Sequence, residues 1–364
     1  MGNKNTYKIL AILLVISVVI PLSAWPQNDE WQERPILLGT SGSNINDISK
    51  LYCCTGTLGA LVQDINNIQY ILSNNHVLAK TNRGRTGDAI IQPGLADQSP
   101  GCYKDLNDAV ANLSRFVTIS FKKGKTNKVD AAIARVIDGK VDSSGSILGI
   151  GEISNLIITE PAIGMSVKKS GRTTGLTQGV INSLNVTVDV IYNKECGIGS
   201  QKARFINQIM IGPPGFSAGG DSGSLIVENP SPYPGAVGLL FAGNSAVTVA
   251  NPISDVLSLL SVSMVGGGTG GTFMTAQTKL SSEEHKKAVK EAAKIKERHE
   301  KAILDIEGTV GMGIGLSETV PGQVFFEVYT KKPAHEMKHL IPENLEGIPV
   351  DIVETGEIIA YCLN

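Results

Sequence analysis

From about residue 55 to 260 the chain offers only short β-type runs broken by turns, and that pattern excludes most folds. The runs fall at 57–62, 69–72, 89–92, 131–137, 180–191, 224–227 and 236–241. Gly, Asn, Asp and Ser, the residues that turn a chain, bound them. No long amphipathic helix interrupts them; only 254–260 has the spacing of a short helix, one that would close the domain. Forty glycines and few aromatics agree with many turns. Many short strands over about 200 residues predict an all-β domain, a sandwich or a barrel.

The flanks differ in kind. Lys4 and Lys8 precede an apolar stretch from Ile9 to Ile20, and small Ser23-Ala24 follow. This is the layout of a secretory signal peptide over residues 1–24, with cleavage after Ala24. The alternative is an uncleaved anchor, but the apolar run is short for the about 20 residues a span needs. The expected location is secreted or periplasmic, with no membrane contact after cleavage. At the other end, residues 265–280 are a Gly/Thr-rich linker at their start. Residues 281–364 then read as a small α/β module. Its helix would be capped by Ser281 or Ser282, carry Glu283 and Glu284 in its first turn, and run to about Asp305. Ala288, Ala292, Ile295 and Ala302-Ile303 give it a modest apolar stripe, and its Lys and Glu residues read as a solvated face. Strands are expected at 310–316, 324–330, 350–353 and 358–361, with a helical patch at 334–339.

Export permits disulfides among Cys53, Cys54, Cys102, Cys196 and Cys362, and five cysteines leave one thiol over. Adjacent Cys53 and Cys54 alternate faces on a strand, so one is expected buried and the other bonded elsewhere. The connectivity stays open. No Cys or His pair has zinc-finger spacing, and no metal or cofactor is expected. A formal net charge of −2, with no strongly basic domain, argues against nucleic acid as a partner.

The chemistry-bearing motif is Ser217-Ala218-Gly219-Gly220-Asp221-Ser222-Gly223-Ser224. Glycines flanking Ser222 allow a turn tight enough to expose its hydroxyl and leave N–H groups to meet a developing negative charge. Alone the motif could be an ordinary turn. A nucleophilic serine needs an imidazole base and an acid to orient it. Of five histidines, four lie in the C-terminal module; only His76 falls in the β-rich region, where the run ending Leu72 delivers it to a polar turn. Asp130, at the head of an apolar run, is the preferred acid, and Asp108 is its rival. The order His76…Asp130…Ser222 is that of the chymotrypsin type, not of subtilisins or α/β-hydrolases.

With these residues in place the chain resembles the chymotrypsin-like (trypsin-like) serine peptidases. Four segments carry the resemblance: Leu72-Ser73-Asn74-Asn75-His76-Val77, Asp130-Ala131-Ala132-Ile133, Ser170-Gly171-Arg172-Thr173-Thr174-Gly175 and Gly220-Asp221-Ser222-Gly223. The third is similar to one in secreted bacterial streptogrisin and α-lytic types. Residues 39–260 as a whole resemble the divergent group that includes the plant narrow-leaf proteins.

The resemblance implies two packed six-stranded β-barrels within residues 25–264, their boundary near 145–165, with His76 and Asp130 from the first and Ser222 from the second. It implies a secreted endopeptidase acting on peptide or protein substrates. The N–H groups of Gly220 and Ser222 would form the oxyanion hole. Substrate would pair beside Phe241-Ala242-Gly243, and Phe216 would floor the specificity pocket, where the lack of an Asp weighs against cleavage after Lys or Arg. Arg172 and its threonines are then turn residues. The chain departs from the family in having Ser224 after the motif, Gln178 where a cysteine is found, no cysteine beside His76, and no N-terminal activation site. Asp221 is therefore expected to pair with an internal group. Two other readings stand beside the peptidase: a peptidase fold that binds peptides without cutting, and a C-terminal module that inhibits or targets.

Overall fold

A computed structural model describes residues 27–267, 276–317, 320 and 323–360. The segment read as a signal peptide, residues 268–275 of the expected linker, and Cys362 lie outside the described residues. Among the described residues no helix is long and apolar enough to cross a membrane.

The first barrel contains β1 (Thr40–Asn44), β2 (Gly56–Leu58), β3 (Ala60–Gln63) and β4 (Gln69–Ser73). The short helix α1 (Asn75–Leu78) follows, then β5 (Ala89–Ile91) and β6 (Ala109–Phe116). A two-residue strand, β7 (Thr126–Asn127), precedes β8 (Ala132–Val136). Gly59 is the bend between β2 and β3, which act as one strand: β2 pairs with β1 and β3 with β4. From β4 the pairing runs through β8, β6 and β5 back to β1, closing six strands into a ring. Leu58, Leu61, Ile71, Leu72, Ile90, Leu113 and Ile133 fill the interior and are fully or almost fully buried.

The second barrel contains β9 (Ser166–Gly171), β10 (Gly175–Glu195), β11 (Ile198–Gly212), β12 (Leu225–Glu228), β13 (Ala236–Gly243) and β14 (Thr248–Pro252). Its ring runs β9, β10, β11, β14, β13, β12 and returns to β9. All these pairs are antiparallel and close the ring, and β13 runs on past its last pairing with β12, at Leu239. The fold is thus the expected pair of six-stranded barrels of chymotrypsin type. The helix α2 (Ile253–Leu260) lies where the sequence places it, burying Ile253, Val256, Leu257 and Leu260. The short strand β15 (Ser263–Met264) then pairs with β3 of the first barrel.

β10 and β11 outrun their barrel. Their far halves form a hairpin around the Glu195–Ile198 pair, and β10 carries further strands on its outer edge. These belong to the C-terminal region: α3 (Ala276–Leu304), β16 (Thr309–Leu316), β17 (Val324–Thr330), α4 (Ala334–Met337), β18 (Asn344–Leu345), β19 (Ile348–Glu354) and β20 (Ile358–Ile359). β16 pairs with β10, so the second barrel's sheet continues into the C-terminal region. α3 covers that extension, where Ala292, Ile303, Met312, Ile314, Phe326 and Val328 share a core.

Three expectations are corrected here. α3 starts at Ala276, before Ser281 and Ser282, because Ala, Gln, Lys and Leu upstream are good helix formers and extend it. Lys296 is not solvated: it is buried, with Nζ 2.9 Å from Thr187 Oγ1 and 2.5 Å from Glu300 Oε2. Cys53 and Cys54 are both buried and both bonded, to Cys102 and Cys196 respectively.

Candidate active site

β4 ends at Ser73, and the chain turns at once into α1, which carries His76. Two asparagines hold this turn. Asn74 Nδ2 donates to Asp130 O at 2.7 Å, and Asn75 Nδ2 donates to Val117 O at 2.7 Å. Asp130 sits two residues before β8, fully buried. Its Oδ2 lies 2.6 Å from His76 Nδ1, and its Oδ1 accepts the His76 backbone N–H at 3.2 Å. In neutral imidazole this places the proton on Nδ1 and the lone pair on Nε2, the state a general base requires. Asp108, the rival acid, lies elsewhere and accepts from Trp31 Nε1 and Gln98 Nε2.

Sequence reasoning missed one partner. Tyr192, on the far half of β10, donates its hydroxyl to Asp130 Oδ2 at 2.9 Å. Its ring meets the His76 ring edge-on at 5.9 Å and stacks with Phe205 at 6.1 Å. Nothing local marks Tyr192; only the folded hairpin carries it across to the first barrel. The Cys54–Cys196 disulfide ties the tip of that hairpin to the first barrel.

Ser222 sits in the turn between β11 and β12, and its Oγ is 3.4 Å from Phe241 O. Gly220 has φ +95°, a conformation L side chains rarely adopt, and a Cβ there would lie 2.4 Å from Thr173 Oγ1. Asp221 locks the turn. Its carboxylate accepts from Ala218 N, Thr173 N and Thr174 N at 2.9, 2.8 and 3.1 Å, and from Thr174 Oγ1 at 2.6 Å. Lys169 Nζ, itself fully buried, lies 3.6 Å from Asp221 Oδ2. This is the internal partner the sequence called for. Burial pulls the Lys169 ammonium below its usual range, and Asp221 opposes that fall. Arg172 pairs with Asp97 and acts as a turn residue, as expected.

The Ser222 turn also touches the first barrel directly. Thr57 N–H donates to Ser222 O at 2.8 Å, and Thr57 Oγ1 donates to Gly220 O at 2.9 Å. A Cβ on Gly59 would stand 1.8 Å from Gly223 O, so no other residue fits the seam. A Cβ on Gly56 would meet Val77 Cγ2 at 2.5 Å and Ser222 O at 3.0 Å. One glycine is thus flanked by the helix of His76 and by the backbone of Ser222.

The expected substrate-binding residues are all buried. Phe216 packs with Val167, Ile181 and Ile211 in the second barrel's core, and Lys169 Nζ stands 5.9 Å from its ring centroid. Phe241, Ala242 and Gly243 are the last residues of β13. Ser222 is 1 % exposed and His76 2 %. Asp47 lies nearby, and burial raises its carboxyl from 3.8 to about 6 against the pull of Arg83, Lys80 and His76.

Paired closed six-stranded barrels, with a Gly-Asp-Ser-Gly turn on the seam between them, define a double-barrel fold of chymotrypsin type. No family model matches the chain, and no curated protein matches it. Solved structures do. A glutamic-acid-specific serine protease is 20% identical, with TM-score 0.42, covering 63% of this chain and 100% of its own. Thermobifida fusca protease A is 19% identical, with TM-score 0.41, covering 64% and 99%. Cellulomonas bogoriensis chymotrypsin is 17% identical, with TM-score 0.40, covering 64% and 99%.

Proposed function

We propose that the protein is an exported serine endopeptidase that hydrolyses peptide bonds through Ser222, His76 and Asp130. The observation that carries this reading is the 2.6 Å contact between His76 Nδ1 and the buried Asp130 carboxylate. An aspartate so placed fixes the imidazole tautomer and stabilises the imidazolium that forms when Nε2 takes the serine proton. Ser222 Oγ attacks the substrate carbonyl. His76 accepts its proton and returns it to the leaving amine, and water then releases the acyl group by the same route.

The developing oxyanion would be met by the N–H groups of Gly220 and Ser222. Among the described residues these donate to no protein acceptor, which supports the assignment. Removing one such donor costs about 10²–10³ in kcat. Substrate pairs with the end of β13 at Phe241, Ala242 and Gly243 as an added strand. The two disulfides agree with an oxidising location.

The test is reaction of the folded chain with a small fluorophosphonate. Labelling is expected on Ser222 and is expected to vanish in Ser222→Ala and fall steeply in His76→Ala. Absence of labelling in the folded wild type, together with no cleavage of unfolded protein, would leave a non-cutting peptidase fold.

A further inference from the structure

We infer that the C-terminal strand β20 is a tethered occupant of the substrate edge, holding the site closed. The inference rests on the peptidase reading above. Gly243, the last residue of the edge expected to receive substrate, pairs antiparallel with Ile359. On its other side Gly243 already pairs with Thr248 of β14. A strand has two hydrogen-bonding edges, so both are spoken for at this residue. An incoming peptide and β20 cannot hold Gly243 together.

The rest of the contact fits an occupant rather than a passing loop. β20 also pairs in parallel with β10, Val190 with Ile358 and Ile191 with Ile359, and Ala360 N–H donates to Ile191 O at 2.9 Å. It therefore lies between the long hairpin and β13. Asn244 Nδ2, just beyond the edge, donates to Thr355 O at 2.7 Å and to Glu357 O at 3.0 Å, clamping the approach to β20. Ile358 is fully buried in the core that holds Tyr192, Phe241 and Ala242. Ala360, His76 and Tyr192 line one cavity of only about 10 Å³. Ala360 thus stands at the cavity beside His76, whose side chain is almost fully buried.

A tether presents its strand at an effective concentration of the order of millimolar. Even a strand of weak intrinsic affinity then competes with free substrate. β19 ends at Glu354, and only Thr355, Gly356 and Glu357 join it to β20, so release needs little of the chain to move.

The experiment compares the full chain, a chain ending at residue 356, and full-length Asn244→Ala, on a fluorescently labelled unfolded protein. Circular dichroism and a thermal melt check that each is folded. The shortened chain is expected to cleave on the order of 10- to 100-fold faster than the full chain. Asn244→Ala should fall between them. A synthetic peptide of residues 355–364, added in trans, should return the shortened chain to the slow rate competitively with substrate. Equal rates in all three folded proteins, with Ser222 labelled in each, would overturn the inference and leave the peptidase reading intact. If none labels or cleaves, binding of the peptide to the shortened chain by fluorescence anisotropy decides. Binding retains the occupant and removes the peptidase; no binding removes both.

Discussion

The hydroxyl of Tyr192 in the second barrel's hairpin is bonded to the carboxylate of Asp130 in the first barrel, at 2.9 Å. The aspartate bonded to His76 is therefore itself held by a residue of the second barrel. A hydrogen bond to a charged group is worth about 1.5–3 kcal/mol. Tyr192→Phe keeps the ring and its packing while removing that bond. The fluorophosphonate labelling rate of Ser222 is expected to fall roughly tenfold, since about 1.36 kcal/mol in the barrier is a factor of ten. An unchanged labelling rate with a lowered melting temperature would show Tyr192 to be packing alone.

Asp47 gives a pH signature. Its carboxyl is held at about 6 in the folded protein against an ordinary 3.8. Below 3.8 both folded and unfolded chains carry the proton and nothing is lost. Between 3.8 and about 6 the folded state keeps a proton the unfolded chain releases, so stability falls as pH rises. Above about 6 the full cost is present, roughly 3 kcal/mol. Asp47→Asn removes it. The stability gained by the variant should grow between pH 4 and 6.5 in urea titrations; a gain constant over that range would contradict this account.

The disulfides should separate by function. Cys53–Cys102 spans 49 residues and Cys54–Cys196 spans 142. Loop-closure entropy assigns them about 4 and about 5 kcal/mol. Both double Cys→Ser variants should melt at lower temperature. Only the second also frees the hairpin that brings Tyr192 to Asp130, so it should slow Ser222 labelling in protein that is still folded. Equal labelling in the two variants would show that the hairpin needs no tether.

The site was more legible than the frame around it. His76 stood out as the one histidine of the β-rich region, and Asp130, preferred as its acid for heading an apolar run, lies 2.6 Å from it, whereas serines and acids are too common in the chain to mark themselves. β1 was invisible because Thr40–Asn44 is a polar run, and its burial rests on bonds such as Ser43 Oγ accepting from Leu95 N at 3.0 Å. β11 was missed because its far half carries Lys202 and Arg204, which bond Asp189 across the hairpin at 2.9 and 2.7 Å. Neither strand shows the alternation that local reading depends on. The pairings of β10 with β16 and β20 join residues more than a hundred apart in sequence, and no local pattern records them.

The bond from Thr57 to the backbone of Ser222 has a consequence for how such a molecule can change over time. The Ser222 turn is braced by the neighbouring barrel, through one threonine and a pair of glycines that tolerate no side chain. A barrel taken from a relative and grafted here would bring its own brace and misplace the serine. The two halves are not interchangeable parts, and their lineages must drift in step. For the same reason heat should abolish labelling and melt the first barrel in one transition, without a stage at which half the molecule stands alone and working.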